Sequence, residues 1–122
     1  MTEEKQMAIR EALREFGADP EAAMRRLLGD EKLFLLLLRE FWNDPDIGKL
    51  DRCLQEGDRS GAFHAAHNLK GGAAVLSLFP LEEALACLAD DLREDPGRPW
   101  QEDYDSFLEK LERYKKILED DQ

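Results

Sequence analysis

The chain has 122 residues, of which 43% are apolar and 37% charged, with a formal net charge of −11. That length suits one domain with a single core, and that composition is globular rather than disordered. The acidic excess argues against nucleic acid and against an anionic membrane surface as partners, because both are bound through concentrated Lys and Arg.

From the N-terminus, Met1 to Gln6 do not read as a signal peptide. Residues 3–16 form a predicted helix with Met7, Ile9, Leu13 and Phe16 as apolar positions, and Gly17 can close it in the left-handed conformation. Asp19-Pro20 reads as an N-cap followed by proline at the first helical position, opening a short helix that runs to Leu28 and ends at Gly29. Asp30 caps the next helix, Glu31 to about Trp42. It is apolar on most faces and so is expected in the core. Its run Leu33–Leu38 is the longest apolar stretch, far too short to span a bilayer, so a soluble cytoplasmic protein is expected.

Asn43-Asp44-Pro45 then either kinks one long helix or separates two. Ile47, Leu50 and Leu54 continue at helical spacing to Gly57. Asp58 caps a helix reaching about Ser77. Phe79-Pro80 starts another, with Leu81, Leu85, Leu88 and Leu92 as its stripe. Residues 95–99, Asp-Pro-Gly-Arg-Pro, read as a turn. The last helix runs from about 99 to 119, with Trp100, Tyr104, Leu108, Leu111 and Leu118 on one face. Cys53 and Cys87 have no metal-ligand spacing and read as small hydrophobes among apolar helical positions. One Thr and one Val in the whole chain leave no basis for a strand. Short connections favour an antiparallel up-down helical bundle.

The helix over 59–77 is the unusual one. At about 100° per residue, Ala62, Ala66, Leu69, Ala73 and Leu76 fall in one narrow stripe, a seam of small residues that permits close packing. His67 falls about 140° from the centre of that stripe, facing solvent. Ser60, Phe63, His64, Lys70, Gly71 and Ala74 share its face. Ser60, Gly71 and Ala74 are small where a surface helix normally carries long charged residues. Gly71-Gly72 costs roughly 1 kcal/mol per glycine in a helix interior. The face reads as a bare surface around a histidine, open to close approach by another protein's backbone.

His67-Asn68-Leu69-Lys70-Gly71 is similar to the His-x-Leu-Lys-Gly signature of histidine-containing phosphotransfer (HPt) domains. Ala65-Ala66, Leu76, the Leu81 to Leu88 stripe, Gly29 to Phe34 and Leu54 to Asp58 also resemble these proteins, so the likeness covers about residues 8 to 119. Family members often carry glycine after the leucine matching Leu76. Here it is Ser77, for which a local change of geometry is expected. The expected architecture is all-α in a single domain, with additional short helices over 1–28 and an antiparallel up-down four-helix bundle over 30–119. The resemblance implies that His67 accepts a phosphoryl group on Nε2, that Lys70 supports the phosphate charge, and that Gly71 lets a receiver come close. Ser60, Phe63, His64, Gly71 and Ala74 are the expected partner-binding residues. The implied partners are a response-regulator receiver domain or a hybrid sensor histidine kinase. No cofactor or metal is expected in this chain, the Mg²⁺ belonging to the receiver. A monomer is expected.

The string Ala-Ala-His-x-x-Lys-Gly-Gly also resembles the phosphotransfer domain of chemotaxis histidine kinases, but no kinase domain accompanies it here, so a stand-alone carrier is expected. The chain contains neither GxxxxGK[ST] nor GxGxxG to hold a nucleotide, so it is not expected to be a kinase itself. A metal site on His64 and His67 lacks the Glu-x-x-His spacing that bundles use. The remaining alternative is a non-catalytic all-α interaction module.

Overall fold

The computed structural model describes residues 2–93 and 98–119. Seven helices occupy them: α1 (Glu3–Phe16), α2 (Pro20–Arg26), α3 (Glu31–Trp42), α4 (Pro45–Glu56), α5 (Arg59–Val75), α6 (Phe79–Arg93) and α7 (Gln101–Glu119). No strand occurs among the described residues. Of the turn predicted over 95–99, residues 95–97 lie outside the described residues.

The helix starts follow local chemistry. The carboxylates of Asp19, Asp30, Asp44 and Asp58 accept from Ala22 N (3.0 Å), Leu33 N (3.0 Å), Asp46 N (2.8 Å) and Gly61 N (2.9 Å). Each satisfies a backbone donor that the first helical turn leaves without a partner. Gly17 and Gly57 close α1 and α4 in the left-handed region, at φ 109° and 76°. Asp44-Pro45 separates two helices rather than kinking one. The helix opened by Pro20 ends at Arg26, two residues short of the predicted Leu28, which takes φ 55° and is exposed.

Helices α4 to α7 make up the antiparallel bundle, with α5 packed between α4 and α6. The predicted seam of α5 is buried throughout, as are Leu81, Leu85, Leu88 and Leu92 of α6. Helix α3 lies against α5 and α7, and α1 lies along α7. Ile9, Leu13 and Phe16 join the same continuous core, so the N-terminal segment packs onto the bundle. Arg10 of α1 pairs with Glu31 of α3, and the Tyr114 hydroxyl of α7 donates to the carbonyl of Leu38 in α3. The Tyr104 hydroxyl donates to Asp51 Oδ1 in α4 at 2.7 Å.

Four expectations about burial are corrected. Helix α3 was expected in the core but sits at the edge of the bundle: Phe34, Leu38 and Phe41 are buried, while Leu33 and Leu36 are exposed. Met7 of α1 is exposed, because α1 packs mainly on α7 and α2 and keeps one face in water. On α7 the buried positions are Tyr104, Phe107, Tyr114 and Leu118, and Leu108 is exposed. The helix is rotated so that its three aromatics, Tyr104, Phe107 and Tyr114, reach the core. Trp100 precedes α7 and is half-buried. Cys53 is buried but Cys87 lies exposed on the outer face of α6, and both thiols are free. No described helix is long and apolar enough to cross a membrane.

Candidate functional site

Helix α5 is held at both ends. At its start Asp58 provides the N-cap, and Gly61 sits where a Cβ would lie 2.5 Å from Asp58 Oδ2 and 2.8 Å from Cys53 Sγ. Glycine there lets the cap and the end of α4 close on the new helix. Arg59 Nη2 donates to the carbonyls of Asp91 (2.7 Å) and Arg98 (3.1 Å), fastening the start of α5 to the end of α6 and the approach to α7.

The helix ends at Val75, two residues short of the predicted Ser77. Ser77 N donates to Ala74 O at 3.1 Å and Leu78 N to Ala73 O at 2.9 Å, the paired bonds of a Schellman motif. Ser77 holds the left-handed position of that motif at φ 52°. Left-handed backbone costs a non-glycine residue about 1 kcal/mol or more. Ser77 is held in it by neighbours: Arg26 Nη1 donates to Ser77 Oγ at 2.6 Å and to the carbonyls of Ala74 and Val75 (3.2 and 3.1 Å), and Asp19 N donates to Ser77 O at 3.1 Å. Helix α2 thus caps the C-terminal end of α5.

Between these anchors, Ser60, His64, His67, Asn68 and Gly71 are exposed on the outer face, and Phe63, Lys70 and Ala74 are half-buried. The structure therefore brings all the sequence-predicted site residues onto one face of one helix. A Cβ on Gly71 would meet nothing within 4 Å. Gly72 differs: its Cβ would lie 3.4 Å from the Phe41 ring, so it turns toward α3 and not toward solvent. The Phe63 ring lies nearly parallel to the His67 imidazole, with centroids 5.9 Å apart and planes at 19°, and the His64 ring meets Phe63 edgewise at 5.6 Å and 67°.

The electrostatics of this helix are set by what it lacks. The chain carries 28 Asp and Glu residues, yet α5 contains none, alone among the seven described helices, while it holds Arg59 and Lys70. Lys70 pairs with no carboxylate among the described residues. An anion arriving at His67 meets an ammonium group and no carboxylate on the helix that presents the imidazole. This feature was readable from the sequence as a 17-residue window without acid in an acidic protein.

A largely apolar groove runs beside the site where the end of α3 and the start of α4 flank α5, with Phe41, Pro45, Val75 and Leu76 in its walls and Glu40, Asn43 and Asp44 among its lining residues. It lies outside the predicted site, since it requires α3 to turn a partly apolar edge outward. Among the described residues, no three His, Cys, Asp or Glu side chains gather as a metal ion would need.

Comparison with known proteins adds one match. The family model for the Hpt domain matches residues 34–117, which span the end helices of the bundle and the face just described. Neither a curated protein nor a solved structure gives a significant match.

Proposed function

Because the chain belongs to the Hpt domain family, whose members are phosphocarrier modules of two-component signalling, we propose that it carries a phosphoryl group on His67 and exchanges it with the aspartate of a response-regulator receiver domain. The observation that carries this reading is the solvent-facing imidazole of His67 on a helix free of acid, flanked by Lys70 and the open space over Gly71.

The chemistry suits these groups. Neutral imidazole has a free lone pair near pH 7. The Nε2 lone pair attacks the phosphorus of the receiver's aspartyl phosphate, a P–N bond forms, the P–O bond breaks, and the carboxylate of the receiver leaves. The reverse step discharges the carrier. Phosphoryl transfer is mostly a matter of alignment and of neutralising the oxygens. Lys70 supplies a cation one turn from His67, and the receiver brings its own Mg²⁺. Gly71 and the small residues Ser60 and Ala74 keep side chains out of the way of the docking partner, while Phe63 and His64 border it. In this reading a receiver or a hybrid sensor histidine kinase charges the chain, which needs no nucleotide site.

The test is intact mass after incubation with an acetyl-phosphate-charged receiver and Mg²⁺, beside His67→Gln. The expected result is an acid-labile gain of one phosphoryl group (~80 Da) in the wild type and none in the variant, with unchanged melting because the side chain is exposed. Labelling retained in His67→Gln would reject His67 as acceptor. Stable receiver binding without any labelling would favour an interaction module instead.

A further inference from the structure

We propose that Phe63 is a positioning residue for the transfer: its ring holds the His67 imidazole in one orientation and so decides which ring nitrogen takes the phosphoryl group. The proposal rests on the reading of His67 as acceptor and adds a residue that acts through it.

Side chains on an α-helix lean toward the N-terminus and lie over the residues three and four positions earlier. For His67 those residues are His64 and Phe63. His64 is exposed and, among the described residues, has no anchor beyond its edgewise contact with Phe63. Phe63 is half-buried and packed against the core, so its ring is a fixed surface. The imidazole stands beside it in an offset stack, with planes at 19° and centroids 5.9 Å apart.

Histidines that must present one particular nitrogen usually have the other held by a hydrogen bond, which sets both ring orientation and tautomer. His67 has no such bond among the described residues, and its stack on Phe63 is the contact that restrains the ring. The two nitrogens are not equivalent in reach. Nδ1 adjoins the carbon attached to Cβ and stays near the helix, whereas Nε2 lies on the far edge. The ring is bonded to the helix through Cγ, so a ring held in one orientation beside Phe63 keeps the same edge outward. A ring free to rotate about χ1 and χ2 would expose each nitrogen in turn, since terminal χ2 torsions of histidine are broad. Holding a reacting atom in its attack geometry lowers the entropic part of the barrier.

Phosphoramidate tests this without a protein partner. The His67 lone pair attacks its phosphorus, a P–N bond to imidazole forms, the donor's P–N bond breaks, and ammonia leaves. The site of attachment is read at early times by ¹H–¹⁵N and ³¹P NMR. The wild type is expected to give the Nε2 isomer alone. Phe63→Ala should give a mixture of Nδ1 and Nε2 isomers and a several-fold slower reaction. Phe63→Tyr, which keeps the ring, should restore both, and Phe63→Leu, which keeps apolar bulk without the plane, should not. Circular dichroism confirms that each variant is folded. In the uncharged protein, the ring-current shift of the His67 imidazole protons should be present with Phe and Tyr and lost with Ala and Leu.

A single Nε2 isomer formed at the wild-type rate in Phe63→Ala would overturn the proposal. A slowed receiver reaction beside it would make Phe63 a partner contact only. Failure of the wild type to take a phosphoryl group on His67 from either phosphoramidate or a charged receiver would instead overturn the carrier reading, and this proposal with it.

Discussion

Gly71 and Gly72 adjoin in sequence but meet different surroundings. A Cβ on Gly72 would touch the Phe41 ring at 3.4 Å, so part of its role is to let α3 approach α5. A Cβ on Gly71 would touch nothing, so the chain's own packing does not require glycine there. A glycine in a helix interior costs roughly 1 kcal/mol relative to alanine. Such a cost, kept beside His67 with no internal return, fits a surface shaped by a partner. Gly71→Ala is therefore expected to stabilise the protein by about 0.5–1 kcal/mol, read from chemical denaturation. Gly71→Gln should fold equally well and reduce transfer from a charged receiver at least tenfold, with phosphoramidate uptake unchanged. Wild-type receiver transfer in that variant would show that the face over Gly71 is not where the receiver docks.

At the level of the helix, α5 is defined by its two ends more than by its propensity. Its interior holds Gly61, Gly71 and Gly72, and its C-terminal left-handed residue is a serine. The structure meets these weaknesses from other elements: Asp58 caps the start, Cys53 of α4 packs under Gly61, and Arg26 of α2 reaches the terminal carbonyls. Gly61→Ala separates propensity from packing. Propensity alone would make this substitution stabilising by roughly 1 kcal/mol. The added methyl instead meets the capping carboxylate at 2.5 Å and the buried Cys53 sulfur at 2.8 Å. Displacing the cap costs about 1 kcal/mol, and crowding a packed site costs about 1–3 kcal/mol more. A net destabilisation of about 1–3 kcal/mol is expected by urea unfolding. A gain in stability would mean that the start of α5 relaxes freely and is not clamped as described.

Across the whole molecule, the polar groups that bind helix to helix are satisfied, and no buried side-chain polar atom lacks a partner among the described residues. The exception in energetic terms is Asp91, a carboxyl 4% exposed near the end of α6. Burial, then a hydrogen bond and repulsion from Asp103 of α7, pushes its pKa from the usual 3.8 up to about 6, with Asp90 adding to the rise and Arg98, 3.0 Å away, opposing it. Since the folded state holds this proton more tightly than the unfolded chain, its contribution to stability is full below about pH 3.8 and is lost as pH rises through about 6. Asp91→Asn stays neutral at every pH. Its stability relative to the wild type should therefore rise between pH 4.5 and 7.5, by at most on the order of 2–3 kcal/mol, as measured by thermal melts. A difference that stays constant with pH would show that Asp91 does not titrate in that window. The site face is remote from this tie in function but not in structure, because Arg59 joins the start of α5 to the Asp91 carbonyl.

Much of this protein was determined by local sequence. The four aspartate caps, the closing Gly17 and Gly57, the buried seam of α5, the outward direction of His67 and the His-x-Leu-Lys-Gly string all depend on residues within a few positions of each other. Capping bonds and helical periodicity act over that range. Tertiary structure decided the matters that depend on a neighbouring helix. Met7, Leu36, Cys87 and Leu108 are exposed because no helix covers those faces, although their spacing or composition matched a buried stripe. Gly72 faces Phe41 while Gly71 faces solvent, and Arg26 reaches 51 residues along the chain to hold Ser77. Periodicity shows that a helix has an apolar face. Only packing determines how much of that face is covered and by which element, because burial is a property of pairs of helices rather than of one.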